Sequence, residues 1–411
     1  MRVAFVVGSF PEISETFILD QMTGLIDRGH EVMIFARPPA DPNGRRHAAV
    51  DEYGLVQRTW YWDRPRGGRV AVLSRTGSLL LSHPLRTVAE LGRCLPGLAR
   101  GANLVRLWSR ASMVQTAPTA DVFFAQFGTN GVLAQQVRDI LRLRVPLVTN
   151  FLGYDLSQLL RQRKPDFYAR LFARGELMLP LSNFFRERLL SIGCPSDKIR
   201  IQRIGVDTAR FAFRERTRAA GAPTRFVSLS RLVEKKGLET GLKAFALLGE
   251  GAPSATWDIV GDGPLRPQLE EMCRALALTG RVVFRGAMPR EAVREVLDES
   301  HILLAPSVTA ANGDQEGTPV AIMEGMAVGL PVVSTLHSGI PELVQDGVTG
   351  LLVPERDPEA LARALRQLAT APERWGEMGR RGRAVVEGEY DARLLGDRLV
   401  EILSDVVRRQ S

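Results

Sequence analysis

The chain has 411 residues, 45% hydrophobic and 24% charged, an ordinary globular balance that excludes whole-chain disorder and leaves room for two or three domains. The formal net charge of +8 is divided unevenly: residues 1–220 hold 32 Lys+Arg against 19 Asp+Glu, and the remainder 22 against 27. No apolar run approaches the ~18 residues that span a bilayer.

Met1–Val7 reads as a buried strand, because Pro11, Glu12 and Glu15 follow too soon for a signal peptide. The next loop contains Ser14, a good N-cap, with Glu15 and Thr16 opening a helix over Thr16–Arg28. This loop is expected to form one wall of a ligand cleft. A strand over Glu31–Ala36 follows. Between Arg58 and Arg110 ten arginines meet only Asp63 and Glu90, with Trp60, Tyr61, Trp62 and Trp108 interspersed. Such a basic, aromatic face suits anionic lipid headgroups or is a solvated arginine-rich surface. No DNA- or RNA-binding motif accompanies it, so nucleic acid is not expected as a partner.

Strands over Val122–Gln126, Pro146–Phe151 and Leu177–Leu181 alternate with helices over Val132–Leu143 and Asn183–Ile192. The pattern weakens across Asp207–Pro223 and restarts at Arg225-Phe-Val-Ser-Leu-Ser. Strands over Thr256–Val260, Val282–Phe284, Ile302–Ala305 and Pro331–Ser334 then alternate with helices over Gly237–Leu248, Pro264–Leu276, Glu291–Glu299 and Pro319–Ala327, and 358–411 reads as helical. This is an α/β chain of two doubly wound, Rossmann-like domains facing across a cleft, with ligands at the carboxyl ends of the strands. Cys94, Cys194 and Cys273 have neither disulfide-framework nor zinc-site spacing, which suits a reducing cytoplasm.

Three strand–helix junctions carry chemistry. In Gln315-Glu-Gly-Thr-Pro-Val-Ala-Ile-Met-Glu324, Thr318 is a natural N-cap and Pro319 fits the first helical position. The Gly317 and Thr318 amides can then face an anion, and a carboxylate beside them makes sense if the ligand is a sugar phosphate, Glu316 then accepting hydrogen bonds from sugar hydroxyls. Ser230-Arg-Leu-Val-Glu-Lys-Lys236-Gly places Arg231 and Lys236 at a strand end, where two cations would neutralise a departing diphosphate. Gly261-Asp-Gly263 lacks the third glycine of a dinucleotide fingerprint, since Arg266 stands there. It is either a tight turn capped by Asp262 or part of a nucleotide site.

In order, "FPEISETFI", "AQFGTNG" (125–131), "FLGYDLS" (151–157), "RLVEKKGL", "IVGDGPL", "QEGTPVAIMEGMAVGLPVVST" and "GIPELVQDGVTGLLV" (339–353) resemble retaining glycosyltransferase family 4, of GT-B fold, in its bacterial exopolysaccharide and colanic-acid-type branch. The resemblance implies an acceptor domain over 1–207, a nucleotide-sugar domain over 208–385, and a terminal helix, 386–411, returning to the first. By position, Arg231 and Lys236 match the pair holding the donor diphosphate, Glu316 the acid on the donor sugar, Glu324 the acid on the ribose, and Gly317, Thr318 and Pro319 the phosphate-facing turn. Tyr154 and Asp155 stand where an acceptor would be touched, and Leu152 replaces a histidine common in relatives.

The implied activity is hexosyl transfer from a UDP- or GDP-sugar to a glycan or polyprenyl-diphosphate-linked acceptor. It needs no metal or other cofactor, and takes place in the cytoplasm or peripherally at an anionic inner membrane face. A non-catalytic nucleotide-sugar-binding protein and a nucleotide-sugar 2-epimerase are the alternatives.

Overall fold

The computed structural model describes residues 1–12, 15–41, 46–62, 68–95, 103–248 and 255–410, backbone only at 68–71 and 290. Among them, β1 (Arg2–Ser9), β2 (Glu31–Arg37), β3 (Thr59–Tyr61), β4 (Val122–Gln126), β5 (Leu147–Phe151) and β6 (Leu177–Pro180) make a parallel sheet in the order β3-β2-β1-β4-β5-β6. Around it lie α1 (Thr16–Asp27), α2 (Ala48–Glu52), α3 (Gly68–Ser82), α4 (Pro84–Cys94), α5 (Leu104–Thr116), α6 (Gly128–Leu141), α7 (Gln158–Gln162), α8 (Ala169–Arg174) and α9 (Asn183–Ser191). The second sheet joins β7 (Arg225–Leu229), β8 (Thr256–Val260), β9 (Val282–Gly286), β10 (Ile302–Ala305), β11 (Val332–Thr335) and β12 (Gly350–Val353), in the order β12-β11-β10-β7-β8-β9. Its helices are α10 (Leu238–Ala246), α11 (Arg266–Ala275), α12 (Arg290–Glu299), α13 (Val320–Ala327), α14 (Ile340–Leu343), α15 (Pro358–Ala369) and α16 (Trp375–Glu389), before α17 (Ala392–Arg408).

Both sheets have the same doubly wound order, and their inner strands β4, β5 and β11 are buried along their whole length because helices cover both faces. Strand order reverses between β1 and β4 and between β7 and β10, so each sheet opens a crevice at those carboxyl ends. The loops after these four strands meet between the domains. This confirms the α/β class and the facing pair of domains. The short edge strands β3 and β12, and the three-helix excursion α3–α5 between β3 and β4, are additions that the apolar alternation does not foretell.

The expected aromatic face is corrected in part. Trp62 is buried and stacks on Phe35 at 5.8 Å, and Trp108 is buried with its indole N–H on Thr76 at 2.8 Å. Large rings gain more from core burial than from solvent, so these two are packing residues. Arg64 and Arg66 lie outside the described residues. The three cysteines are buried and unpaired.

The chain crosses between domains at Val206 and again at Tyr390–Asp391, and the crossings are bonded to each other. The Val206 N–H donates to the Tyr390 carbonyl at 3.0 Å and the Ala392 N–H to the Val206 carbonyl at 2.9 Å. Asp391 then caps α17 through the Arg393 and Leu394 amides. The apolar stripe of α17, Leu399, Ile402, Leu403 and Val406, packs into the first domain's core beside Phe5, Met22 and Leu25. Leu403→Ala, at a fully buried position, is expected to destabilise the first domain by about 2–5 kcal/mol, seen as an earlier thermal unfolding transition.

Candidate active site

The interdomain cleft has two joined lobes, of about 900 and 700 Å³. The larger is bounded by Asp20 and Phe211 on one side and Gly261, Val293 and Glu324 on the other. The smaller has Glu15, Arg37 and Tyr154 facing Lys236, Glu316 and Thr318. Thr16, Phe17, Leu229, Arg231 and Val320 line both, so they stand at the junction.

Packing of one loop on another sets the cationic wall. After β7 the chain makes a short 3-10 turn, Glu234–Lys236, and ends in Gly237 at φ +64°. A Cβ on Gly237 would fall 1.8 Å from the Pro306 carbonyl oxygen, so only glycine permits this approach to the loop after β10. Two bonds fasten the loops: the Val308 N–H to the Lys235 carbonyl at 2.9 Å, and the Ala311 N–H to the Glu234 carboxylate at 2.8 Å. Lys236 Nζ is thereby held 3.0 Å from Glu316 Oε2. Lys235 Nζ lies 3.1 Å from Asp314 and 3.9 Å from Glu316 Oε1. Arg231 is exposed at the junction and makes no ion pair among the described residues.

Glu316 is buried. Burial pushes its carboxyl up, but the Lys236 and Lys235 ammonium groups and the Lys236 bond outweigh this, and its pKa is held below the ordinary value. Its own N–H donates to His337 Nε2 at 3.0 Å, and His337 Nδ1 meets Glu355 Oε1 at 2.6 Å. That arrangement assigns the imidazole proton to Nδ1 and leaves Nε2 as the acceptor. Glu355 is in turn anchored by the Thr309 N–H at 2.7 Å, and Ser338 Oγ donates to the Glu316 carbonyl at 2.7 Å. Asp314, His337, Ser338 and Glu355 escaped the sequence reading. A histidine two residues beyond a buried strand was the available signal for the relay.

Among the described residues, four buried side-chain oxygens lining this cleft have no hydrogen-bond partner: Ser230 Oγ, Asp314 Oδ1, Glu316 Oε1 and Thr318 Oγ1. Buried polar atoms are normally satisfied, so their convergence on one space marks a site shaped for a polyhydroxylated, hydrogen-bonding ligand. The Gly317 and Thr318 N–H groups likewise donate to no protein acceptor among the described residues.

Other expectations shift. The N-cap of α13 is Pro319 rather than Thr318, and Thr318 Oγ1 is left without a partner because its side chain packs inward instead of bonding the helix. Glu324 lies one turn into α13 on the larger lobe. Glu15 stands at the N-cap of α1, with no side-chain cap bond, while Ser14 lies outside the described residues.

Asp155 is not a ligand contact. It is fully buried, and its carboxylate accepts from the Gly128, Leu152 and Gly153 amides at 2.8, 3.1 and 2.8 Å, which consumes it in holding the loop after β5. Leu152, in that loop, lines the smaller lobe, and its carbonyl abuts Gly317. A Cβ on Gly261 would lie 1.9 Å from the Ser230 carbonyl oxygen, and one on Gly263 2.6 Å from that of Leu232. Both glycines thus serve backbone packing, and of the two only Gly261 lines the cleft.

Comparison with known proteins accords with this geometry. The family model described as "Glycosyltransferase Family 4" matches residues 14–210, and "Glycosyl transferases group 1" matches 209–385. The chain is 40% identical to the putative colanic acid biosynthesis glycosyltransferase WcaL of Escherichia coli K12, over 98% of this chain and 99% of that one. It is 37% identical, with the same coverage, to the amylovoran biosynthesis glycosyltransferase AmsK of Erwinia amylovora. Among solved structures, Anabaena HepE in complex with UDP and glucose superposes with a TM-score of 0.70 at 17% identity, covering 98% of this chain and all of that one. Sucrose-phosphate synthase of Thermosynechococcus elongatus gives 0.73 at 17% over both full chains. At such identities the likeness is one of fold.

Glu15 generates a pH prediction. Burial, with Glu12 nearby, pushes its carboxyl from 4.5 up to about 7. A carboxyl raised on folding favours the native state while protonated, and that contribution is lost as pH rises from about 4.5 through about 7. Glu15→Gln should therefore match the wild type in melting temperature below pH 4.5 and exceed it above pH 7, in a thermal-shift series across that range.

Proposed function

The chain belongs to glycosyltransferase family 4, and from that premise we propose that it transfers a hexosyl group, with retention, from a UDP- or GDP-sugar to a glycan or lipid-linked acceptor in exopolysaccharide assembly. One observation carries the reading: a buried, ionised Glu316 with one satisfied and one open oxygen, beside Lys236 and an α13 turn with unfilled amides. The larger, more apolar lobe takes the base and ribose, the ribose against Glu324. The diphosphate lies at the junction on Arg231, Lys236 and the Gly317–Thr318 amides. The sugar lies in the smaller lobe, its hydroxyls donating to Glu316 Oε1. The acceptor approaches past Glu15, Arg37 and Tyr154.

Chemistry follows from this placement. The bond from the anomeric carbon to the β-phosphate oxygen breaks as the acceptor oxygen bonds to the same face of that carbon. The acceptor proton passes to the departing phosphate oxygen, and fixed cations stabilise the charge that develops there. This same-face substitution needs no covalent intermediate. No cation is required, because Arg231, Lys235 and Lys236 supply the positive charge.

Arg231→Ala should lower kcat about 100-fold, or nearly 3 kcal/mol of transition-state stabilisation. Glu316→Gln should abolish transfer yet bind nucleoside diphosphate at least as well as the wild type, since it frees Lys236 from its ion pair. Radiolabelled transfer assays and calorimetric titration with UDP and GDP read the two effects. Near-normal turnover by folded Glu316→Gln would remove it from the site. Activity should also survive EDTA, and loss that Mg²⁺ or Mn²⁺ restores would overturn metal independence.

A further inference from the structure

Helix α4 is inside out. Its buried face carries Thr87, Glu90 and Cys94, and Glu90 is 1% exposed, one carboxylate oxygen paired with Arg86 at 2.8 Å and the other without a hydrogen-bond partner among the described residues. Its opposite face, Leu85, Val88, Ala89, Gly92 and the C-cap Leu95, follows the i, i+3, i+4, i+7 repeat of a single helix side, and all five residues are exposed. Leu85 is 88% exposed, and Leu81, at the α3 end of the same hairpin, is 89% exposed. Surface helices put apolar residues on the core side, so this arrangement implies that a second apolar medium lies outside. Among the described residues ten large hydrophobic residues are exposed, and six of them lie in α3–α5 or at its α4 cap.

Charge selects the occupant. From residue 68 to residue 116 the chain has seven arginines and one acid, and that acid, Glu90, is the buried one. A two-fold interface between copies would press this patch against itself and set like charges together. An anionic bilayer is complementary on both counts: apolar side chains enter the headgroup–acyl boundary, while long arginine stems reach the phosphates. A recess of about 340 Å³ opens beside the hairpin, with apolar walls that include Phe35, Leu79 and Phe123 and with His83 and Arg86 among its lining. Its residues lie toward the amino ends of β4 and β5, the opposite end of the sheet from the cleft, so a docked α4 leaves the cleft open.

We infer that the outward faces of α3 and α4, centred on Leu81, Leu85 and Val88, form a docking surface for an anionic lipid bilayer. The inference stands on this surface alone and does not require the transfer chemistry proposed above.

The test is co-sedimentation of the full chain with vesicles of phosphatidylcholine, with or without phosphatidylglycerol, at low and high salt. The wild type should bind the anionic vesicles, more weakly as salt rises. Leu81→Ser/Leu85→Ser should bind at least tenfold more weakly, equivalent to about 1.4 kcal/mol. Both leucines are nearly fully exposed, so the double variant should keep the wild-type melting temperature and its affinity for nucleoside diphosphate in solution. Those two readouts separate failure of this surface from failure of the donor site. Equal binding by variant and wild type overturns the inference, as does equally poor wild-type binding to anionic and neutral vesicles. A concentration-dependent dimer abolished by the same double substitution overturns it also, and assigns the face to a second copy of the chain.

Discussion

A buried, ionised carboxylate must be compensated by nearby charge or hydrogen-bond donors, and the ion pair between Glu316 and Lys236 is the constraint on which the cleft is built. Ionised Glu316 needs Lys236 within bonding distance, and Lys236 reaches it only because Gly237 lets the loop after β7 lie on Pro306. The His337–Glu355 relay fixes the backbone on the other side. Together these contacts hold Glu316 so that one oxygen is used by the protein and the other remains open. A carboxylate preorganised in this way needs no rearrangement to accept a hydroxyl, which is how a site discriminates a sugar from a simple phosphate.

The cleft also depends on how the domains are tied. Glu342, in α14 of the second domain, accepts from the Asn183 and Phe184 amides at 3.0 Å each and so caps α9 of the first. Arg161 reaches the Ala311 carbonyl across the same gap, and Leu152 meets Gly317 backbone to backbone. With the paired crossings at Val206 and Asp391, these contacts set the width between Glu15 and Tyr154 on one wall and Lys236 on the other. Leu152 therefore has a structural reason to matter although it brings no polar group: its backbone spaces the two walls, and the residue lines the smaller lobe.

The uneven charge has a location as well as a sign. The arginine-rich stretch contains α4, whose apolar side faces outward, whereas Trp62 and Trp108, which also mark that stretch in the sequence, are interior. Net charge by itself says nothing about which aromatic rings are buried, because that is decided by β3 pairing with β2 and by α5 packing on α6.

The sequence by itself determined what depends on neighbours along the chain. Apolar runs such as Val122–Gln126 and Thr256–Val260 specify buried parallel strands, and the junctions at Arg231 and Glu316 fall at strand ends whatever the helices do. Glu316, Lys236 and Arg231 were legible as charged residues at those ends, and the resemblance to family 4 supplied their roles. Tertiary structure alone decided which of these groups meet. Asp155 was consumed by amides of its own loop and of residue 128, and His337 was brought from beyond β11 to the Glu316 backbone. Gly263 was packed against the Leu232 backbone, and α4 was turned outward. Each of these outcomes is set by contacts between residues distant in the chain or by which face of a helix the rest of the fold covers. Spacing along a sequence does not encode such contacts, because they arise only when two separately specified elements compete for the same space.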